Sequence, residues 1–363
     1  RVRAQHFHQA SQQLAAGDSA AAEATLRRLL ELAPGHAGAQ GRLLDLLAAR
    51  DPAEAVAFAR GLVEAAGPDA ARPWVLHRWL GRACDLAGDR EGAVQAWADG
   101  HARVQAGQEQ GSQPLPTPTE AAAPRAQAGT PAADAPALGL LVGLPGSGAA
   151  NVARVLDGVV PAFRADRFGP RPPADPMQRL DLGAALAAGE LDPAEAVAQW
   201  RQALPARGLA ANSPVIDWLP HWDNALLDAI RPHLPQALLL VALRDPRDML
   251  LDWLANGSQL PLRMASPAEG ARWLAAALEH VAVLAEQDLQ PHVLLRLDDC
   301  INSPAEVAAK VSAALGIQLP APPAGLFGAS SYPAGHWRGY ADALAEAFAA
   351  LSPVAVRLGY PQH

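Results

Sequence analysis

Two short segments of this sequence combine residue types that bind anions. Gly143-Leu-Pro-Gly-Ser-Gly148 follows the apolar run Leu138–Val142 and precedes the amphipathic segment Asn151–Leu156. A glycine-rich turn between a strand and a helix points backbone N–H groups and the positive end of the helix at an anion. Arg244-Asp-Pro-Arg-Asp248 follows a second apolar run, Ala237–Leu243, and offers two guanidinium groups. These patterns predict a site for a phosphate-type anion, which arginine binds well.

The elements that would position these segments form an alternating pattern over residues 137–363. Besides the two apolar runs just described, strands are predicted at Val215–Ile216 and Val293–Leu297. Helices are predicted between the strands, at Pro193–Leu204, Asn224–Ile230, Ala268–Leu284 and Pro304–Leu315. Such alternation is typical of a parallel sheet with helices on both faces.

Residues 1–106 carry a repeated helical pattern. Small residues alternate with large apolar ones over Gly17–Leu29, then over Asp51–Gly67, and most clearly from Trp79 to Trp97. The separation of Gly17 and Gly88 is close to two periods of about 34 residues. These segments resemble tetratricopeptide (TPR) repeats, which are helix-turn-helix units that stack into an array. A plain helical bundle is the alternative interpretation.

A compositional change separates the two halves. Residues 107–136 are rich in Pro, Ala, Gln, Gly and Thr and contain almost no large apolar residues. Such a composition does not support a core, and it predicts a flexible linker, partly in the polyproline conformation, of which a few residues can dock on a neighbouring domain.

Charge, apolar runs and cysteine content argue against several classes of protein. The net charge of −8 argues against nucleic-acid binding through a broad basic surface. The longest apolar runs are far shorter than the roughly 20 residues that cross a bilayer. Two cysteines, Cys84 and Cys300, do not indicate a disulfide framework, and we expect a cytoplasmic protein. The 29 basic residues include a single lysine, Lys310, so a mechanism that needs a lysine must use it.

Five landmarks in the second half resemble sulfotransferases that use 3′-phosphoadenosine 5′-phosphosulfate (PAPS), especially bacterial forms with N-terminal TPR repeats. They are, in order, Leu141–Ala150, Val215–Pro220, Arg244–Asp248, Leu295–Gly316, and His336–Tyr340 together with Leu358–Pro361. The resemblance implies an α plus α/β chain, in which TPR-like repeats precede a P-loop-like parallel-sheet sulfotransferase domain. A nucleotide-triphosphatase P-loop does not fit, because Ala149 stands where a Lys-Ser/Thr pair is needed.

The resemblance also implies which residues would hold PAPS or its product, adenosine 3′,5′-bisphosphate. The residues at the family's cofactor-binding positions are Gly143, Pro145, Gly146, Ser147, Gly148, Ala149, Ala150, Arg244, Asp252, Trp337 and Arg338. Asp166 and His336 are the candidates for a catalytic role. No metal site is expected, since the alternating His6 and His8 lack a third ligand.

Most side chains that sulfuryl transfer needs are replaced at these positions. Gly146 stands where the family has Arg or Lys, Ala149 and Ala150 replace a Thr pair, Trp218 replaces a Lys, and Asp252 replaces a Ser. Loss of one charge-stabilising group costs about 10²–10³ in rate. We therefore expect a catalytically impaired sulfotransferase-family protein that acts as a pseudoenzyme or scaffold, with its repeats binding a protein or peptide.

Two other functional hypotheses stay open. In the first, the chain is an active PAPS-dependent sulfotransferase that modifies a protein or peptide hydroxyl with relocated arginines, the candidates being Arg154, Arg164, Arg167 and Arg338. In the second, the chain senses an anion or nucleotide without turnover. A purely structural interpretation is that Arg244 and Arg247 pair with Asp245 and Asp248 and stabilise the end of a strand.

Overall fold

The computed structural model describes residues 2–67, 73–105, 112–210, 212–260, 262–328 and 330–362. The chain divides into two units between Gln108 and Glu109. Each unit has an apolar core of its own.

The described part of the first unit consists of six consecutive helices. Asp18 and Asp51 cap the second and fourth helices by accepting backbone N–H bonds, and Pro52 occupies the first turn of the fourth. Buried Leu26, Leu29 and Leu47 form the centre of its core. The predicted helical repeats are confirmed. The helices are α1 Val2–Ala15, α2 Ser19–Leu32, α3 Ala37–Arg50, α4 Pro52–Ala66, α5 Pro73–Leu86 and α6 Arg90–Gln105.

A glycine permits close packing inside the third helix pair. A Cβ atom at Gly81 would lie 2.1 Å from Nε1 of Trp97, whose ring is fully buried. We expect Gly81→Ala to lower the free energy of unfolding of the first unit by about 1–3 kcal/mol, because the added methyl overpacks this contact. Gly61→Ala, at a helical position with open space around it, is the matched control and should stabilise by about 0.5–1 kcal/mol. Urea unfolding followed by far-UV circular dichroism measures both; equal effects would contradict the packing argument.

The second unit alternates strands and helices, as the apolar pattern predicts. Its main strands and the helices between them coincide with the predicted segments to within a few residues, which confirms those predictions. The strands are β1 Gln113–Pro114, β2 Leu138–Val142, β3 Phe163–Arg164, β4 Val215–Trp218, β5 Ala237–Leu243, β6 Leu262–Arg263 and β7 His292–Arg296. The helices are α7 Ala149–Leu156, α8 Leu182–Ala187, α9 Pro193–Ala203, α10 Leu227–His233, α11 Pro246–Asn256, α12 Pro267–Glu286, α13 Pro304–Leu315 and α14 Ala345–Arg357.

Five of these strands form one parallel sheet. Their order is β3-β4-β2-β5-β7, and every neighbouring pair runs parallel. The chain builds one side of β2 first and then crosses to the other side at β5. The residues that follow β2 and β5 therefore meet at the point where the strand order reverses, which is where open α/β sheets bind ligands. Both anion-type segments of the sequence lie there.

The polar segment expected to be a flexible linker packs on the second unit over its described part, residues 112–136. β1 pairs with β6, and the Thr119 backbone N–H and hydroxyl both donate to Asp223, at 3.0 and 2.6 Å. Ala126 donates its N–H to Asp228 at 2.9 Å. The segment has no apolar core of its own. Hydrogen bonds to residues about 100 positions further along the chain hold it in place. Residues 107–111 lie outside the described part of the chain.

Candidate functional site

The glycine-rich loop connects β2 to α7 and is partly closed on itself. Ser147 is fully buried, and its Oγ accepts the N–H of Ala149 at 3.3 Å. Gly146 and Gly148 adopt positive φ values of 75° and 88°, which glycine tolerates and other residues rarely adopt. Pro145 and Gly143 are half-buried, as is Ala150. The loop therefore has the expected strand-turn-helix position.

Gly146 leaves no room for the cation that the resemblance would place here. A Cβ atom at Gly146 would lie 2.0 Å from the backbone oxygen of Met249, in the first turn of α11. A backbone atom of a buried helix cannot move aside as a flexible side chain can. An Arg or Lys at this position would clash and would also have to adopt the positive φ. The close packing of loop and helix thus accounts for glycine at position 146.

Arg244 is fully buried and binds groups of the protein itself. Its Nη1 donates to Asp252 Oδ2 at 2.7 Å and to the Gly146 carbonyl at 3.3 Å, and its Nη2 donates to the Tyr332 carbonyl at 2.6 Å. Its Nε is buried without an acceptor among the described residues. Asp252 thus neutralises the arginine that the resemblance assigns to the 3′-phosphate. The structural interpretation is correct for Arg244, but its partner is Asp252 and not Asp245 or Asp248.

Arg247 and its neighbours also serve the fold. Arg247 makes a bidentate ion pair with Asp245, at 2.9 and 2.8 Å, and lies 3.7 Å above the Trp337 ring. It donates as well to the carbonyl oxygens of Pro361 and Gln362, at 2.6 and 3.0 Å. The pairing with Asp245 agrees with the structural interpretation. The bonds to the two carbonyl oxygens hold Pro361 and Gln362 against the first turn of α11.

Among the described residues, no arginine forms an ion pair with Asp248, which accepts backbone N–H groups instead. Gly335 and Trp337 donate to its two oxygens at 2.6 and 2.9 Å. Burial raises the pKa of Asp248 to about 6, although these two hydrogen bonds oppose the shift. The expectation that Asp248 pairs with an arginine is therefore wrong.

The late Trp region lies beside this network. Trp337 is buried under Arg247, whereas Arg338 is exposed, with its guanidinium 5.0 Å from the same ring. His336 stacks on Tyr332 at 4.5 Å between ring centroids, with the planes nearly parallel. Of the residues implied here as cofactor contacts, only Arg338 has a guanidinium on the surface.

A second buried charge cluster surrounds Asp217 in β4. Asp217 is fully buried and accepts hydrogen bonds from Arg167 at 2.7 Å, Arg207 at 2.7 Å and Trp200 Nε1 at 2.9 Å. Burial alone would raise the pKa of Asp217, but hydrogen bonds from the two arginines hold it well below the ordinary Asp range. The sequence identified Asp217 as part of a landmark, but nothing in it indicated that Arg207 completes the cluster.

Asp166, the candidate base, belongs to this cluster. Arg207 binds both its oxygens, at 2.7 and 2.9 Å, and the two residues line an open cleft of about 470 Å³. Both carboxylate oxygens of Asp166 are thus engaged by a guanidinium group. The structure does not bring Asp166 into contact with His336, the other catalytic candidate, through any hydrogen bond of the described residues.

The arginines considered as relocated catalysts also have structural partners. Arg154 donates to the Phe327 carbonyl at 2.6 Å, Arg164 donates to the Arg207 and Gly208 carbonyls at 2.8 and 2.9 Å, and Arg167 is fully buried between Asp175 and Asp217. Arg338 is the exposed exception. The lone lysine is engaged too, as Lys310 donates to the Arg296 carbonyl at 2.6 Å.

The residues present at this site do not fit PAPS. Met249 blocks the loop position at which the resemblance would place a cation, and Arg244, to which the resemblance assigns the 3′-phosphate, is fully buried and neutralised by Asp252. Trp218, at the family's Lys position, is buried with its ring centroid 3.9 Å from that of Phe168. An anion would have to displace Asp252 or Tyr332 to reach Arg244.

Comparison with known proteins gives no further guide. No family model, no curated protein and no solved structure matches this chain. Within the described residues, no group of three or more His, Cys, Asp or Glu side chains is arranged to hold a metal ion. No helix among those residues has both the length and the apolar character needed to cross a membrane.

Proposed function

We propose that this chain is a non-catalytic scaffold, in which TPR-like repeats bind a protein or peptide and a sulfotransferase-like domain has lost its cofactor site. The observation that carries the proposal is the ion pair of Arg244 with Asp252. It supports a role in which the arginine stabilises the fold, because the carboxylate of Asp252 already neutralises this fully buried guanidinium. The blocked position at Gly146 supports the same conclusion independently.

The proposal extends to the helical array. Three helix pairs with a period of about 35 residues are what TPR-like repeats would form, and arrays of this kind present extended surfaces to other proteins. Trp97 lies in the core of its helix pair and is unavailable to a partner. A partner would therefore bind residues other than the tryptophan that marks the repeat in the sequence.

Calorimetric titration with adenosine 3′,5′-bisphosphate tests the loss of the cofactor site. We expect no heat of binding by the wild-type protein up to millimolar nucleotide, and no rise in melting temperature. Asp252→Ser removes the internal carboxylate and places the family's residue at that position. We expect this variant to gain weak nucleotide binding, because Arg244 then lacks a counter-charge.

Arg244→Ala is the control in both backgrounds. Micromolar binding by the wild-type protein that Arg244→Ala abolishes would overturn the proposal and favour the active enzyme. Binding that Arg244→Ala leaves unchanged would place the nucleotide elsewhere on the chain. If Asp252→Ser gains no binding that depends on Arg244, the role that we assign to Asp252 is contradicted.

A further inference from the structure

The polar segment that enters the second unit has an unusual mode of attachment. We call residues 113–129 the strap. Prolines alternate along its first part, at positions 114, 116 and 118, and of these only Pro116 is buried. A chain of alternating prolines favours the extended polyproline conformation and lacks the N–H groups of a normal strand. The backbone groups of this part of the strap that need hydrogen-bond partners are therefore mainly carbonyl oxygens.

The surface beneath the strap supplies partners for its backbone. Trp273 Nε1 donates to the Pro116 carbonyl at 2.7 Å, and His280 Nε2 lies 3.1 Å from the Thr119 carbonyl. We call the surface formed by Asp223, Leu262, Trp273 and His280 the strap groove. Leu262 belongs to β6, which pairs with the start of the strap at Gln113. All of these contacts are made to backbone atoms of the strap and not to its side chains.

Two further aromatic rings pack against Trp273 and hold its ring in place. The Trp273 ring packs edge-on against Trp253, with 5.5 Å between centroids, and lies 6.0 Å from the ring of His221. Burial lowers the pKa of His280, against the opposing effect of Asp223, so its ring is neutral near pH 7. A neutral ring accepts the Asn224 N–H at Nδ1, at 3.0 Å, and donates from Nε2 to the strap. Aromatic grooves with well-placed donors are a recurrent way of binding proline-rich chains.

One residue of the strap has a hydrogen-bond partner for its N–H, its hydroxyl and its carbonyl group. Thr119 donates its N–H to Asp223 at 3.0 Å and its hydroxyl to the other oxygen at 2.6 Å, while its carbonyl faces His280. Asp223 is buried and also accepts the N–H of Ala225 at 2.8 Å. The groove is thus complementary to an extended proline-rich segment with a hydroxyl residue at this position. Thr117, two residues earlier, is exposed.

From this geometry we propose that the strap groove is a recognition site for proline-rich peptides that carry a Thr or Ser anchor after the prolines, and that the strap is its intramolecular occupant. A tethered segment competes at an effective concentration in the millimolar range, so it excludes a free peptide of equal affinity. Release of the strap then exposes the groove to a partner segment of the same chemistry. None of the residues around Arg244 belongs to the strap groove, so peptide binding there does not depend on the proposed function.

The test uses the full chain and a fluorescent peptide with the sequence of residues 112–121. Thr119→Asp places a second carboxylate beside Asp223 and should release the strap, whereas Thr117→Asp adds the same charge at an exposed position and serves as the control. We expect the Thr119→Asp chain to bind the peptide at least about tenfold more tightly than the wild type or the control. A peptide that itself carries Thr119→Asp should not bind.

Hydrogen exchange decides how each outcome is interpreted. Loss of protection in residues 115–129 of Thr119→Asp, with the β5 amides still protected, shows that the strap has left an intact sheet. If the peptide then fails to bind at millimolar concentration, the proposal is overturned. It is overturned equally if the strap stays protected, because Thr119 is then not its anchor. Should Thr119→Asp fail to fold, Thr119→Val, which removes only the hydroxyl, replaces it with the same criteria.

Discussion

Asp217→Ala should lower the free energy of unfolding of the second unit by about 3–5 kcal/mol. The substitution removes the carboxylate that Arg167, Arg207 and Trp200 share, in a position with no exposure to solvent. Arg167 would still pair with Asp175, and Arg207 would still pair with Asp166. Both buried guanidinium groups would nevertheless lose the carboxylate that they share in the wild type. Chemical unfolding followed by tryptophan fluorescence measures the loss.

An exposed pair of the same chemistry is the control for this substitution. Arg179 and Asp181 form an ion pair at 2.9 Å with half-exposed side chains, and Asp181→Ala should cost less than about 1 kcal/mol. The low pKa of Asp217 adds a dependence on pH. Its contribution is complete above the ordinary Asp pKa and is lost as the pH falls below that value toward the folded-state pKa. Equal losses for Asp217→Ala and Asp181→Ala would show that the buried cluster adds no more to stability than an exposed ion pair.

The regular elements of this chain follow from local patterns, and that is why they were predictable. Strand β5 is a seven-residue apolar run, and a parallel strand buried on both faces needs such a run. The helix after it begins at Asp245-Pro246, where the Asp side chain caps the Arg247 N–H and Pro occupies the first turn. By contrast, the two-residue strands β1 and β6 carry no signal, because their pairing joins segments far apart in the sequence.

The candidate site was predictable in its position but not in its bonding. The order of strands places the loop after β2 beside the residues after β5, and both are recognisable from sequence. The partner of Arg244 is not, since three aspartates lie within eight residues of it and only the orientation of α11 brings Asp252 to its Nη1. The strap illustrates the same limit. Its composition indicates that it forms no core, yet buried Asp223 and His280, more than 100 residues further along the chain, fix its course.

Buried polar groups therefore carry much of the long-range organisation of the second unit. Arg244 ties the loop after β2 to α11 and to Tyr332, and Arg247 ties α11 to Pro361 near the end of the chain. Charged groups in these positions are costly to desolvate and are tolerated because each has a charged partner. In a catalytic anion site the same arginines would need open coordination positions. The bonding of these residues thus favours cohesion of the fold over binding of a ligand.

Asp252→Ala should be among the most damaging single substitutions in this unit. It leaves the fully buried Arg244 guanidinium without a counter-charge, which costs about 3–5 kcal/mol of unfolding free energy. It also removes the acceptor for Asn256 Nδ2, at 2.7 Å, and for the Tyr332 N–H, at 3.3 Å. Asn256→Ala removes one of these hydrogen bonds but keeps the ion pair, and it should cost only about 1 kcal/mol.

A double variant separates the value of the pair from the penalty of breaking it. Arg244→Met with Asp252→Leu replaces both charges by apolar groups, and it should be far more stable than Asp252→Ala because no buried charge is left alone. Urea unfolding of the wild type, of the single variants Arg244→Met and Asp252→Leu, and of the double variant gives the interaction energy. Losses that simply add would mean that Arg244 does not depend on Asp252, and the arginine would then be free to bind an anion. A double variant close to the wild type, with single variants far below it, is what a self-neutralised site requires.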